Sequence, residues 1–223
     1  MVKIDRIIHS RRKTYALVIE LDGSLTVRAP LQASRAQIDY LIQEKADWIQ
    51  EKQNWQKSHP EVLNHKKYIN GEHFYYLGNA YLLEIVPAAN PLLELKGDRF
   101  HLAHAALPHA DKVFRNWYHQ QARHVIGELV RKRADDQGLA YRSLRITSAK
   151  RRWGSCGAKG TLNFSWRLVM APKAVIDYVI VHELVHLEIR NHSRAFWDRV
   201  AHWMPDYKQQ VAWLKANGRY LTL

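Results

Sequence analysis

The sequence predicts an α+β fold, with a β-rich N-terminal region carrying one helix over residues 1–105 and a mainly helical domain over 106–223. Three observations carry that reading. Short runs of alternating apolar residues, separated by Asp-Gly, Asn-Gly and Gly-Asp pairs, fill the first hundred positions, as strands joined by tight turns do. Beyond residue 110 the apolar spacing lengthens to the helical one, with Gly138, Pro205 and Gly218 as stops. The stretch from Val175 to Leu187 is apolar on nearly every side, the mark of a helix enclosed in a core.

Taken in order, Tyr15, Leu17 and Ile19 alternate towards Asp22-Gly23, and Leu25, Val27 and Ala29 alternate away from it, giving a hairpin closed by Pro30. Ser34 and Gln37 form a capping box for a helix through Ile38, Leu41, Ile42, Trp48 and Ile49, which ends before Pro60. Lys45, Lys52 and Lys57 lie on its solvated face. Two strands follow between Tyr68 and Val86, with turns at Asn70-Gly71 and Gly78-Asn79. Leu92–Leu95 and Arg99–Leu102 flank Gly97-Asp98 as another hairpin. His101, His104 and His109 straddle a strand end and Pro108, a spacing that fits no ordinary ligand set.

Asp111 to Gly138 reads as a long helix with Val113, Trp117, Val125 and Leu129 inward and Arg115, Arg123, Arg131, Lys132 and Arg133 making it basic. Leu144–Ser148 and Thr161–Val169 read as the strands of a hairpin, the second alternating Leu162, Phe164, Trp166 and Leu168 against Asn163, Ser165 and Arg167. Between them lies a turn-rich loop, R-R-W-G-S-C-G-A-K-G. Pro172 opens the enclosed helix where a missing N–H costs nothing. Phe196, Trp197, Val200 and Trp203 mark the next helix, and Val211, Trp213 and Leu214 the last. No internal repeat or low-complexity tract interrupts the chain.

Hydrophobic residues at 47 % and aromatics at 11 % are those of a folded globule and exclude a disordered chain. No apolar run reaches the length of a membrane span, and the opening M-V-K-I-D-R lacks a signal-peptide core. A single cysteine, Cys156, excludes an internal disulfide framework and suits the cytoplasm. The net charge of +13 favours polyanionic partners, nucleic acid or acidic protein surfaces, although solvated lysines and arginines give the same balance.

The chemistry concentrates in V-H-E-L-V-H-L-E-I-R-N-H-S, residues 181–193. On a helix, His186 lies about 40° round from His182 and Glu183 about 100°. Two imidazoles then project side by side with a carboxylate flanking them, which is what a tetrahedral zinc site takes from one helix. A chance H-E-x-x-H would fall anywhere, loops included. This one falls in a buried helix, where two imidazoles and a carboxylate need partners to offset their desolvation, and a metal supplies them. Zinc lowers the pKa of its water to roughly 7, and Glu183 is the base that takes the proton as water attacks a carbonyl.

A third donor is required, and His192 is the nearest. On a continued helix it would sit roughly 9 Å beyond His186, so the helix must stop first. Asn191 tolerates a left-handed stop and Ser193 can cap a new helix behind it. The spacing between His186 and His192 is that of the metzincins, but Ile189 stands where those have glycine. Glu188, Asp198 and His202 are rivals for the position.

The ordered motifs R-W-G-S-C, L-N-F-S-W-R-L, A-P, D-Y-V-I-V-H-E-L-V-H, N-H-S-x-x-F-W and P-D-Y resemble those of the YgjP-like metallopeptidase family. The N-terminal Arg-rich strand, the D-G hairpin and the W-I helix are similar to its opening as well, so the resemblance covers nearly the whole chain. It implies a zincin-like catalytic domain, a zinc-dependent peptidase or hydrolase acting on a peptide or protein, His182, His186 and His192 as ligands, and Glu183 as base. The family is more distantly similar to the SprT-like and WLM peptidases, some of which act on proteins bound to DNA. That leaves a nucleic-acid-associated protein with a basic face and a merely structural zinc as the alternative, and a small-molecule amidase as a third reading.

In such a fold the strand beside the active helix offers its backbone to an extended substrate. Here it would come from the Leu144–Val169 hairpin, with the Arg152–Cys156 loop bordering the cleft. The ordinary role of that loop is packing, with Trp153 buried, Gly154 turning the chain and Cys156 filling space. Arg152, Arg167 and Tyr207 are candidates for the oxyanion donor, and the sequence does not choose among them. Asp177 and Asp198 are candidates to orient the ligand imidazoles.

Overall fold

The computed structural model describes residues 2–20, 23–57 and 66–223, with the side chains of 55–57 not included. Asp22 and Pro60, assigned above to a turn and a helix stop, lie outside the described residues. The chain forms two compact units, residues 1–65 and 66–223.

In the first unit, β1 (Arg6–Ser10), β2 (Ala16–Ile19) and β3 (Leu25–Pro30) form a sheet of order β1-β3-β2, with β2 antiparallel and β1 parallel to the central strand. Leu25, Val27 and Ala29 are wholly buried, as their alternation requires. They pack with Ile38, Ile42 and Ile49 from α1 (Arg35–Glu44) and α2 (Ala46–Lys57). The capping box is present, with Ser34 Oγ accepting from Gln37 N–H and Gln37 Oε1 accepting from Ser34 N–H. The single expected helix is two, broken at Lys45 (φ −106°, ψ 14°). The bonds Lys45 N–H to Leu41 O and Ile49 N–H to Lys45 O persist across the break, so the buried face carries through.

In the second unit, β4 (His73–Tyr76), β5 (Asn79–Val86), β6 (Leu93–Lys96) and β7 (Arg99–Ala103) form a sheet of order β4-β5-β7-β6. A long helix, α3 (Ala110–Asp136), follows. Phe74, Leu83, Phe100 and Leu102 of the sheet share one core with Phe114 and Tyr118 of the helix. The compact units divide at 65/66, whereas the sequence pattern places the domain boundary at 105/106: the apolar face of this sheet needs a cover, and α3 supplies it. The innermost row of α3 is Ala110, Phe114, Tyr118, Ala122, Ile126, Val130 and Ala134. Val113, Trp117, Val125 and Leu129 lie one position off and are half-buried. Alanines carry little hydrophobic signal in a sequence, yet their small size lets the helix approach its neighbours closely.

A second sheet, of order β8-β10-β9, holds β8 (Ser143–Thr147), β9 (Gly154–Cys156) and β10 (Thr161–Ser165). The expected hairpin is corrected here: β8 and β10 run parallel, and the loop between them contributes β9, antiparallel to β10. A parallel pair needs a crossover of about a dozen residues, and 148–160 is that crossover. β10 also stops sooner than its alternation suggests, because Trp166–Met170 coil into a 3₁₀ turn. Every residue from Trp166 to Ala171 is buried, so no solvent face exists for alternate side chains. The β4–β5 hairpin turn serves that segment, Leu77 N–H and Gly78 N–H donating to Val169 O and Met170 O.

The chain then enters α4 (Lys173–Glu188), α5 (Arg194–Trp203) and α6 (Tyr207–Asn217). No helix among the described residues is long and apolar enough to cross a membrane.

Candidate metal centre

Helix α4 is enclosed by side chains of its own run: Val175, Ile176, Val179, Ile180, Val181, Leu184 and Val185 are all buried. That burial fixes the helix about its axis and turns His182 and His186 to one side. The helix ends at Glu188, and Ile189 takes an extended conformation (φ −123°, ψ 107°). This corrects the left-handed stop expected at Asn191. An extended residue reverses the chain without a glycine, which is how Ile189 occupies that place. Asn191 Oδ1 instead accepts from Ser193 N–H, tightening the turn ahead of α5; Ser193 occupies the N-cap without a side-chain bond to the helix.

The turn carries His192 back over α4. Its Nε2 lies 3.1 Å from His182 Nε2 and 3.2 Å from His186 Nε2. Among the described residues this is the one set of three or more His, Cys, Asp or Glu donors that converges as a metal site does. Zinc–nitrogen bonds of about 2.0–2.1 Å at tetrahedral angles separate ligand nitrogens by roughly 3.3 Å, close to what is found. Protonation favours the same arrangement. His186 Nδ1 is 3.0 Å from Ile189 O, which fixes the proton on Nδ1 and leaves the Nε2 lone pair facing the cluster. Burial, reinforced by His186 and His192, holds His182 down to about 4, so its ring is neutral at pH 7. Three imidazoles whose Nε2 atoms converge in this way are the donor set of a divalent metal.

Phe196, fully buried, floors the cluster, its ring 4.9, 4.5 and 4.8 Å from the rings of His182, His186 and His192. Trp197 stacks on His192 at 5.8 Å and on Tyr207 at 5.5 Å, and Tyr207 stacks in turn on Tyr178. The sequence marked Phe196 and Trp197 as a helix face and as part of the N-H-S-x-x-F-W motif; their place as a seat for the imidazoles follows from the turn at Ile189.

Glu183 is buried between α4 and β9. Burial pushes its carboxyl up to about 7, against the opposing pulls of the Cys156 N–H, which donates to it, and of the Arg152 guanidinium. Gly154 leaves the carboxyl its space: a Cβ there would lie 2.6 Å from Glu183 Oε1. The loop that the sequence assigned to packing thus shapes the surroundings of the acid. Burial raises the pKa of the Cys156 thiol, against the pull of the Arg190 guanidinium. Arg190 donates to Gly157 O and Ala158 O, both at 3.0 Å, tying the β9–β10 turn to the segment that carries His192.

The other candidates separate. Glu188 pairs with Arg199 and Asp198 with Arg194, while His202 is exposed, and none of the three joins the cluster. Asp177 pairs with Arg133 rather than with an imidazole. His186 is oriented by the backbone of Ile189 instead. Arg167 directs its guanidinium to Ser148 O at 3.2 Å and stacks on Trp166, a structural commitment. Arg152 stays exposed at the rim near Glu183, and Tyr207 lies in the ring stack. Tyr178, one turn before His182, was not singled out in the sequence. Its phenol is pushed up to about 12, by burial first and by Tyr207 and Glu183 after it, so it remains a proton donor. A recess of about 210 Å³ opens beside the acid, lined by Trp153, Gly154, Tyr178, Val179, His182, Glu183, Val211 and Leu214.

Comparison with known proteins gives one family: the YgjP-like metallopeptidase domain matches residues 13–217. Among solved structures, the metallopeptidase zymogen of Pyrococcus abyssi abylysin is similar at 23 % identity, over 40 % of this chain and 93 % of that one, with a TM-score of 0.37. The zymogen of Methanocaldococcus jannaschii jannalysin is similar at 20 % identity, over 41 % and 92 %, with a TM-score of 0.35. No curated protein matches the chain.

Proposed function

The chain belongs to the YgjP-like metallopeptidase family and is a metallopeptidase, and from that premise we propose a zinc-dependent enzyme with His182, His186 and His192 as ligands and Glu183 as general base. The observation that carries this is the approach of His192 Nε2 to 3.1 Å from His182 Nε2 and 3.2 Å from His186 Nε2, beside the buried carboxyl of Glu183. Zinc held there supplies Lewis acidity, polarising an amide carbonyl and making water nucleophilic near neutral pH.

The protein's own groups do the rest. Glu183 accepts the proton of the attacking water and returns it to the leaving nitrogen, a task suited to a carboxyl tuned towards the working pH. β9 is an edge strand. Trp153 and Gly157 bond inward, through Ser165 N–H to Trp153 O and Gly157 N–H to Thr161 O. By alternation, Gly154 and Cys156 face out. Cys156 N–H serves Glu183, and the backbone of Gly154 is the group that pairs with an extended substrate. Tyr178 and Arg152 stand nearest the acid as donors for the developing oxyanion.

Metal analysis with a peptide and protein cleavage screen tests the proposal. About one zinc per chain is expected, lost in His192→Ala. Glu183→Gln should keep the metal and lose hydrolysis by about 10²–10⁴-fold. Full hydrolysis in Glu183→Gln ends the general-base assignment.

The exposed run Lys150, Arg151 and Arg152 beside β9 favours a second reading for the substrate, a protein associated with nucleic acid. Affinity for DNA or RNA that falls steeply with salt supports it, and no retention at low salt removes it. A cytoplasmic setting accords with the single thiol.

A further inference from the structure

The recess beside Glu183 is built as a side-chain pocket, and we propose that it selects substrates carrying one uncharged apolar side chain on a residue flanking the scissile amide. The inference rests on the metallopeptidase reading above and names which peptides that site takes.

Trp153 supplies a wall from the segment entering β9, Tyr178 and Val179 come from α4, and Val211 and Leu214 come from α6. His182, Glu183 and the phenol of Tyr178 are the polar groups of the lining, and Glu183 is the one that carries negative charge. At about 210 Å³ the space falls below the ~300 Å³ from which pockets for drug-sized ligands begin, so it suits one side chain rather than a whole small molecule. The charge inside decides the class. An acidic side chain would meet the Glu183 carboxylate. A basic one would pair with Glu183 and occupy the proton acceptor that hydrolysis needs. An apolar side chain meets neither penalty and buries its surface against Trp153, Val179, Val211 and Leu214.

The wall is held in place. Gly218, just after α6, approaches Trp153 so closely that a Cβ there would lie 2.9 Å from Cζ2 of the indole. Trp153 thus packs directly against the C-terminal segment, which leaves its indole little room to move.

The test compares wild type with Val211→Trp, a large ring placed on a residue 37 % exposed, where the fold can accept it. In a peptide library varied on both sides of the cleaved bond, wild type should favour Leu, Met or Phe over Asp, Glu, Lys and Arg at one flanking position. In Val211→Trp the ratio of kcat/KM for Leu over Ala at that position should fall at least tenfold. A wild-type preference for charged residues, or an unchanged ratio in the variant, overturns the pocket. A binding arm separates this from failure of the enzyme assignment. N-acetyl-leucinamide, titrated by NMR into the wild-type protein, should shift the Trp153 indole signal, assigned with Trp153→Phe, and should not do so in Val211→Trp. N-acetyl-aspartamide should leave it in place. Absence of any peptide cleavage would sink the zinc peptidase while this titration still decides the pocket, and equal shifts from the two amides would refute it.

Discussion

A Cβ on residue 154 would fall 2.6 Å from both Cγ and Oε1 of Glu183, so edge strand and active helix meet where only glycine fits. Gly154→Ala must therefore move the carboxyl, the strand or both. A displacement near 1 Å at a reacting group costs about a hundredfold. We expect kcat/KM to fall by about that factor or more while zinc content stays near wild type, since Gly154 supplies no ligand atom. Steady-state kinetics beside metal analysis reads both, and unimpaired turnover would show that the close approach has no part in positioning the base.

Arg190 joins the two sides of the site, donating to Gly157 O and Ala158 O from the segment between Ile189 and His192. Arg190→Ala should weaken zinc binding by about tenfold, as loss of a group supporting a metal ligand does. Arg190→Lys should not rescue it, because an ammonium lacks the planar fork that reaches two carbonyls at once. Competition with a chromogenic chelator gives the affinities. Equal affinity in all three proteins would leave Arg190 a surface residue.

The pair His182 and His186 with Glu183 is legible in the sequence because helical periodicity alone orients them. His192 is legible as a donor, but the place of the turn is not: Asn191 carries the stronger stop signal, and Ile189 makes the reversal through an extended conformation that any residue adopts. β9 escapes any periodicity argument since it spans Gly154–Cys156 alone, and its pairing is set by contacts distant in sequence. The same holds for the parallel pairs β1–β3, β5–β7 and β8–β10. The boundary at 65/66 was hidden because strand patterns name elements without saying which helix covers them.

Gly78 supports the centre from below. It has φ +87°, follows Leu77 at φ +49° in the two-residue β4–β5 turn, and packs on Pro172, where a Cβ would lie 2.9 Å from the ring and 3.0 Å from Cα. Gly78→Ala carries a left-handed strain of about 1–2 kcal/mol before any displacement of the α4 N-terminus is counted. We expect roughly 2–3 kcal/mol less stability in urea unfolding, the close contact adding to the strain. Gly97→Ala, also at positive φ but with open space around its Cβ, should lose only the strain. A loss no greater at 78 than at 97 would remove the argument from packing.

Two groups give the EDTA-treated protein an unusual pH profile. Burial raises the Glu183 carboxyl from 4.5 to about 7, so between those values the native state keeps a proton that the unfolded chain has released, and stability falls as pH rises. Burial lowers His182 from 6.5 to about 4, so there the unfolded chain binds the extra proton and stability rises with pH. Each shift corresponds to roughly 3 kcal/mol over its window. The opposing slopes offset one another between about 4.5 and 6.5, and above that range the Glu183 penalty stands alone. Glu183→Gln removes only the falling part. It should differ little from wild type near pH 4.5 and be the more stable protein by roughly 3 kcal/mol at pH 8. Zinc should abolish that advantage, because a divalent charge beside the carboxylate offsets its desolvation. Urea titrations at the two pH values, with and without metal, measure all four quantities. An EDTA-treated wild type as stable as the variant at pH 8 would mean that the carboxylate is not desolvated as its place between α4 and β9 requires.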